Sequence, residues 1–207
     1  DFDSDNAPMV LPSINYNFVG EPGAYGAYWG LNVNTRNIVR EEERDSLRFS
    51  VSPSWTLPYT SSIGDIYELK VSFQSDLYIV DDVDKNSDDV TGKNGDFDGV
   101  AGRFFPEASL KWRYPFVHPG ENLTQVFQPI AQLVLAPDCC NVGKIPNDDS
   151  RTFEWDDTKV FDPDRLSGLD RVDSGSRFNY GFEWTGYLPE GGSADIFLGQ
   201  SLRFWND

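Results

Sequence analysis

The chain has 207 residues, 39% of them apolar and 14% aromatic, with a formal charge of −17. That is enough apolar material for one all-β unit, yet no run approaches the eighteen or so consecutive apolar residues that a membrane helix needs. The acidic balance, with no clustered stripe of Lys and Arg, excludes nucleic acid as a partner, because phosphate neutralisation depends on such clusters; residues 1–6 lack the basic and apolar regions of a signal peptide, so the chain reads as mature or as part of a longer precursor.

Apolar and polar residues alternate with period two in eight segments separated by turn-like residues, which predicts antiparallel strands near 9–19, 24–36, 46–58, 64–80, 102–117, 122–136, 176–188 and 193–205. In the first, Pro12, Ile14, Tyr16 and Phe18 oppose Ser13, Asn15 and Asn17; in the second, Ala27, Trp29, Leu31 and Val33 oppose Tyr28, Gly30, Asn32 and Asn34. The third is the clearest, with Leu47, Phe49, Val51, Pro53, Trp55 and Leu57 on one face and Arg48, Ser50, Ser52, Ser54 and Thr56 on the other. Tyr67, Leu69, Val71, Phe73, Leu77 and Ile79 then oppose Glu68, Lys70, Ser72, Gln74 and Asp76. Ala108, Leu110, Trp112, Tyr114 and Phe116 follow in the fifth segment, and Phe178, Tyr180, Phe182 and Trp184 in the seventh. The sixth and eighth are mixed in pattern.

Alternation alone fits a water-facing sandwich equally well, so three further features decide for a membrane barrel. The segments run about ten residues or more, the tilted span of a bilayer. Trp and Tyr gather on the apolar face toward strand ends, as interfacial girdles do. Connections near 20–25, 59–64, 117–122 and 189–193 are short, whereas 37–46 and the acidic loops 81–101 and 137–175 are longer. Short turns on one side and long loops on the other is the parity of outer-membrane barrels. Pro12, Pro53, Pro115 and Pro129 each delete a ladder donor and are expected at ladder breaks, bulges or strand ends.

No catalytic constellation emerges. Asp82, Asp84, Asn86 and Asp88 imitate the start of a calcium loop, but Ser87 replaces the glycine and Lys93 the bidentate glutamate, so no metal site is assigned. His118 lies in a turn without a nucleophile beside it, and no glycine-rich phosphate cradle occurs. Cys139 and Cys140 lack the spacing of a zinc or redox site and read as loop thiols or as a loop disulfide to a missing part of the chain. The loop IPNDDSRTFEWDDTKVFDPDRLSGLDR (145–171) is too apolar for a solvated tether. Phe153, Trp155, Val160, Phe161 and Leu166 require it to fold back on the barrel mouth or lumen, with Arg165, Asp170 and Arg171 available for charge-assisted pairs.

The stretches FPEASLKWRYPF (105–116), QPIAQLVLAP (128–137), IPNDDS (145–150) and LSGLDRV (166–172), followed by Asn179 to Gly181, resemble in order and spacing the C-terminal barrel of the LptD (Imp, OstA) lipopolysaccharide-assembly family. That resemblance implies a segment of a twenty-six-stranded antiparallel barrel in the outer membrane of a Gram-negative bacterium. It implies transport and insertion of lipopolysaccharide without enzyme chemistry or cofactor. The partners implied are lipopolysaccharide, an LptE-like lipoprotein plug and a periplasmic LptA-like bridge reached through an N-terminal domain. The present chain is expected to hold wall and loop, not the seam strands. The adjacent cysteines of best-known family members follow the SGLDR-like segment, whereas Cys139 and Cys140 precede it, so their role is not carried over. Lumen-lining candidates are Arg48, Glu68, Lys70, Gln74, Lys111, Arg113, Gln128, Gln132, Asn179 and Glu183; loop-fixing candidates are Asp149, Ser150, Arg165, Gly168, Asp170 and Arg171. Two rivals stand beside this reading: a self-contained eight-stranded barrel for adhesion or diffusion, and a secreted β-sandwich enzyme acting on carbohydrate.

Overall fold

A computed structural model describes residues 9–39, 45–81, 98–150 and 157–204. The chain is all-β: β1 (Met9–Val19), β2 (Tyr28–Val39), β3 (Asp45–Thr60), β4 (Ile66–Asp81), β5 (Gly99–Arg113), β6 (Phe116–His118), β7 (Thr124–Leu135), β8 (Arg177–Tyr187) and β9 (Ser193–Arg203), with one short helix, α1 (Asp157–Val160). All pairings are antiparallel, and all but β5 with β7 join consecutive strands, in the order β1-β2-β3-β4-β5-β7-β8-β9, with β6 also on β7. The sheet is open, since β1 and β9 do not pair with each other.

Period-two patterning fixes the register, because a one-residue slip would turn every apolar side chain to the wrong face. Trp29 pairs with Trp55, Tyr67 with Trp112 and Phe127 with Trp184, all in the apolar phase. That phase faces outward and has no protein over it. Trp29 is 63% exposed, Phe104 59%, Ile14 58% and Leu198 58%. Buried residues lie instead in the polar phase, where Arg48, Asp76, Arg103, Gln132, Arg177 and Asn179 are covered by the returning loop. A single layer that exposes its apolar face and covers its polar one is inverted relative to a soluble sandwich, and so apolar a belt suits lipid rather than water.

Several expected boundaries shift. Residues 24–26 do not begin β2; they form a 3-10 turn in which Tyr25 (φ 59°) and Gly26 (φ 79°) adopt positive φ, which no strand accommodates. The strand expected over 102–117 is divided into β5 and β6 by Tyr114 and Pro115, and β5 starts earlier, at Gly99. The longer connection expected over 37–46 shrinks to the residues between Val39 and Asp45, because Ile38 pairs with Ser46 and Asn37 with Leu47. The prolines fall at interruptions. Pro12 lies in the register shift between Val10 and Ser13, and the β3–β4 ladder skips Ser52 and Pro53. Pro129 sits opposite the β5–β6 break and accepts the Tyr114 N–H at 3.2 Å.

At the short-turn end, Ser61 to Asp65 closes a tight turn with Gly64 at φ 95°, and Trp112 Nε1 donates to Asp65 Oδ2 at 3.1 Å. At the other end β5 pairs with β7 only from Ala108 to Arg113. Beyond Ala108 the flank of β5 meets the loop instead: Cys140 Sγ lies 3.9 Å from the Phe104 carbonyl, and Ile145 packs with Tyr78, Val80 and Ala101. Cys139 and Cys140 are bonded to each other, which corrects the expectation of free thiols or of a disulfide to a missing part of the chain. The calcium-like sequence at 82–93, Phe153 and Trp155 lie outside the described residues.

Candidate functional site

The polar face meets residues 145–150 and 159–173 through three sets of charged and polar contacts. In the first, the loop folds on itself before it touches the wall. Asp149 Oδ1 accepts the N–H groups of Leu169 (3.1 Å) and Asp170 (3.0 Å), while Asp170 Oδ2 accepts those of Asp148 (2.8 Å) and Asp149 (3.0 Å). Two chain segments thus cap each other reciprocally with carboxylates. Gly168 makes the approach possible: its φ is +82°, and a Cβ there would lie 2.4 Å from Asp149 Oδ1. Ser150 Oγ accepts the Arg171 N–H at 2.9 Å, and Arg171 Nη1 donates to the Ile145 carbonyl at 2.9 Å.

The wall then grips this clasp. Arg48 Nη1 reaches Asp149 Oδ2 and Asp170 Oδ1, each at 2.6 Å, and Arg36 reaches the same two carboxylates at 3.2 and 3.1 Å. Tyr78 Oη donates to Asp170 Oδ1 at 3.1 Å, and Ser46 Oγ to Asp148 Oδ2 at 3.1 Å. Burial opposes ionisation of Asp149, but its hydrogen bonding with Asp170 and Arg48, with the charge of Arg48, outweighs it and holds the carboxyl down to about 2. Asp170 moves the other way, raised by burial and then by its proximity to Asp149.

In the second set, Arg103 pairs with Asp76 at 2.6 Å, both nearly inaccessible, and donates to the carbonyls of Asp170 (2.8 Å) and Leu169. Gln74 Nε2 also donates to the Leu169 carbonyl at 3.1 Å. The third set surrounds Asp173, whose carboxylate meets Arg165 (2.5 Å), Arg203 (2.8 Å) and Arg177 (3.2 Å). Arg165 also donates to Ser201 Oγ, and Arg177 to the Pro163 carbonyl. Beside them Gln132 Nε2 donates to the Phe161 carbonyl at 3.0 Å and its Oε1 accepts Asn179 Nδ2 at 2.8 Å. Phe161 and Val160 bury against Ile130, and Phe197 meets the Phe161 ring edge-on at 5.8 Å.

Of the lumen-lining candidates, Arg48, Gln74, Gln132 and Asn179 therefore bind loop or neighbouring wall rather than standing free in a channel. Lys111 Nζ lies 5.9 Å from the Phe161 ring. Glu68, Lys111 and Arg113 share a small cleft toward the short-turn end, where Glu68 pairs with Lys111 across the ladder. Gln128 donates to Glu183 at 3.2 Å. Arg36, Asp76, Arg103, Asp173 and Arg177 were not singled out from the sequence. Their only signal is a charge in the polar phase of a strand, or in the loop, where a solvated charge reads the same.

Between β1–β5 and residues 164–173 lies a cavity of about 340 Å³ that Lys70 and Gln74 help to line. Asp164, on its loop side, is pushed up to about 6 by burial, with Asp162 and Asp173 adding to the effect against one hydrogen bond from the Leu166 N–H. Among the described residues no three His, Cys, Asp or Glu side chains are disposed to hold a metal ion.

No curated protein matches the chain. A family model described as LptD, LPS transport system D, matches residues 2–207. With that match over an open antiparallel sheet whose apolar face is bare and whose polar face is docked by residues 145–150 and 159–173, the chain belongs to the LptD family.

Proposed function

We propose that this chain is a section of barrel wall in a lipopolysaccharide translocon of the outer membrane, its polar face lining the route of the sugar moiety and residues 137–175 forming a folded loop over the mouth. The observation that carries this is the inverted distribution of polarity. Arg177 and Asn179 are 0% exposed on the inner face while large apolar side chains stand bare on the outer one, an arrangement that suits lipid outside and a hydrated lumen inside. An LptE-like plug and a periplasmic LptA-like bridge are the expected partners. The open sheet disfavours a self-contained eight-stranded barrel, which needs its first and last strands paired. A β-sandwich requires a second sheet over the apolar face, and the described residues form one sheet.

Lys111 and Arg113 face inward near the short-turn end and are placed to steer phosphorylated sugars entering from that side. Replacing both with Glu in the full-length protein is expected to slow the appearance of lipopolysaccharide at the cell surface. An unchanged rate in a normally folded barrel refutes steering by these residues.

A further inference from the structure

We infer that a hollow on the bare outer face, between Trp29, Trp55 and Phe73, retains one acyl chain of a zwitterionic, ammonium-bearing phospholipid of the periplasmic leaflet; this rests on reading that face as lipid-facing and is independent of the glycan route. The hollow follows from the sizes of neighbouring side chains. Trp29 and Trp55 stand opposite each other on β2 and β3, and Trp55 stands opposite Val71 on β4. Pro53 falls at the ladder interruption that faces Phe73 and Gln74. Trp55 and Phe73 therefore occupy one diagonal of a cross-strand square, and the shorter Pro53 and Val71 the other. The space left is about 360 Å³, lined by Trp29, Pro53, Ser54, Trp55, Val71 and Phe73, none of them charged. That volume lies within the range of small-ligand sites, about 300–1,000 Å³. Phe104, stacked on Phe73 at 5.8 Å, braces the far wall.

Position selects the leaflet. Trp29 follows Tyr28, the first residue of β2 beyond a short connection, and Phe73 lies in mid-β4. Short connections of an outer-membrane barrel face the periplasm, so the hollow opens at the periplasmic interface and runs toward the bilayer centre, along the path of an acyl chain of that leaflet.

The indoles supply an independent observation. Trp112 Nε1 donates to Asp65 and Trp184 Nε1 to Gln125, each at 3.1 Å, but neither Trp29 nor Trp55 bonds its N–H to a described residue. An indole N–H without an acceptor is costly in hydrocarbon and is satisfied at a membrane interface, where the ester carbonyls of a glycerolipid accept. Charge then selects the headgroup. The short connections expose Glu21, Glu121 and Glu190 and contain no Lys or Arg, and Glu21 lies in the connection that leads to Trp29. Lys111 and Arg113, near the same end, belong to the inward polar phase. A rim of this sign attracts an ammonium group and disfavours a lipid of net negative charge.

The test is native mass spectrometry of the full-length protein with its lipoprotein partner, stripped of lipid in detergent and titrated with palmitoyl-oleoyl phosphatidylethanolamine. One lipid is expected to bind about tenfold more tightly than those that follow. Trp29→Phe with Trp55→Phe, which keeps both rings and removes both N–H groups, should weaken that first adduct about fivefold. Val71→Trp fills the hollow and should abolish the preference, whereas Leu198→Trp, the same kind of addition on the outer face of β9, should leave it. Val71→Cys provides a route independent of folding, since the barrel is assembled first and N-ethylmaleimide then fills the hollow. A first adduct that is absent, unmoved by alkylation or by loss of the N–H groups, lost equally in Leu198→Trp, or matched by phosphatidylglycerol of the same chains overturns the site. A complex that stays monodisperse without detergent refutes the lipid-facing reading itself, so the two failures are told apart.

Discussion

Replacing Gly168 with alanine should release the loop while leaving the strands paired. The residue sits at φ +82°, and its missing Cβ would stand 2.4 Å from Asp149 Oδ1 and 2.5 Å from the Asp149 carbonyl oxygen, closer than any side chain tolerates. A left-handed conformation costs an L-residue about 1–2 kcal/mol. Moving Asp149 away sacrifices at least one of the two backbone hydrogen bonds its Oδ1 accepts, worth about 1.5–3 kcal/mol when the acceptor is charged. Together these give about 2.5–5 kcal/mol, or a rise in local opening of roughly 60-fold to 4,000-fold. Hydrogen exchange of the Leu169 and Asp170 amides in the full-length protein measures it. Exchange in Gly168→Ala that stays within a few-fold of wild type, in a barrel that retains its heat-modifiable migration, would refute the clasp.

Asp76→Leu alone leaves Arg103 buried without its carboxylate and should destabilise the protein by about 3–5 kcal/mol; adding Arg103→Met should recover part of this in urea unfolding, but not all, because the carbonyls of Leu169 and Asp170 also lose a donor. Asp164 holds its proton more tightly folded than unfolded, so its contribution is complete below its ordinary 3.8 and is lost as pH rises through about 6. Exchange of residues 164–173, corrected for intrinsic rates, should therefore slow as pH falls from 7 to 5 (a change of about two decades in proton activity), and Asp164→Asn should flatten that slope. Phe73, stacked on Phe104 at 5.8 Å on the outer face, should cost about 2–4 kcal/mol when changed to Arg in a barrel folded into vesicles; a loss below about 0.5 kcal/mol would place that face in water.

The strands were legible because one physical rule, apolar out and polar in, is written at every second residue from Leu47 to Leu57 and again from Ala108 to Trp112. Pro115 marks an interruption in the sequence itself, since it removes a ladder donor. The positive φ of Tyr25 was not readable, because nothing about a tyrosine announces it. In the loop, Asp149, Ser150, Gly168, Asp170 and Arg171 stood out by their pattern; of the arginines that meet them only Arg48 did, and as a lumen-lining residue rather than a loop clamp. Arg48 lies 101 residues from Asp149 in the chain, and Arg103 lies 67 from Asp170. A charged residue in the polar phase looks the same whether it faces water or clamps a loop, so Arg36, Asp76 and Arg177 stayed hidden among solvated neighbours. The bond between Cys139 and Cys140 escaped for a different reason. Neighbouring residues rarely present their thiols to one another, and Cys140 does so at a φ of 84° that sequence does not disclose.

Above Ala108 the rim of β5 lacks a neighbouring strand among the described residues and is flanked by the segment that carries Cys140 and Ile145. An uncovered rim of this kind recruits foreign strands and seeds aggregation. The segment that folds over the polar face therefore also shields the protein from self-association during assembly, and a chain whose loop cannot close is at risk of being lost to clumping before it reaches the membrane.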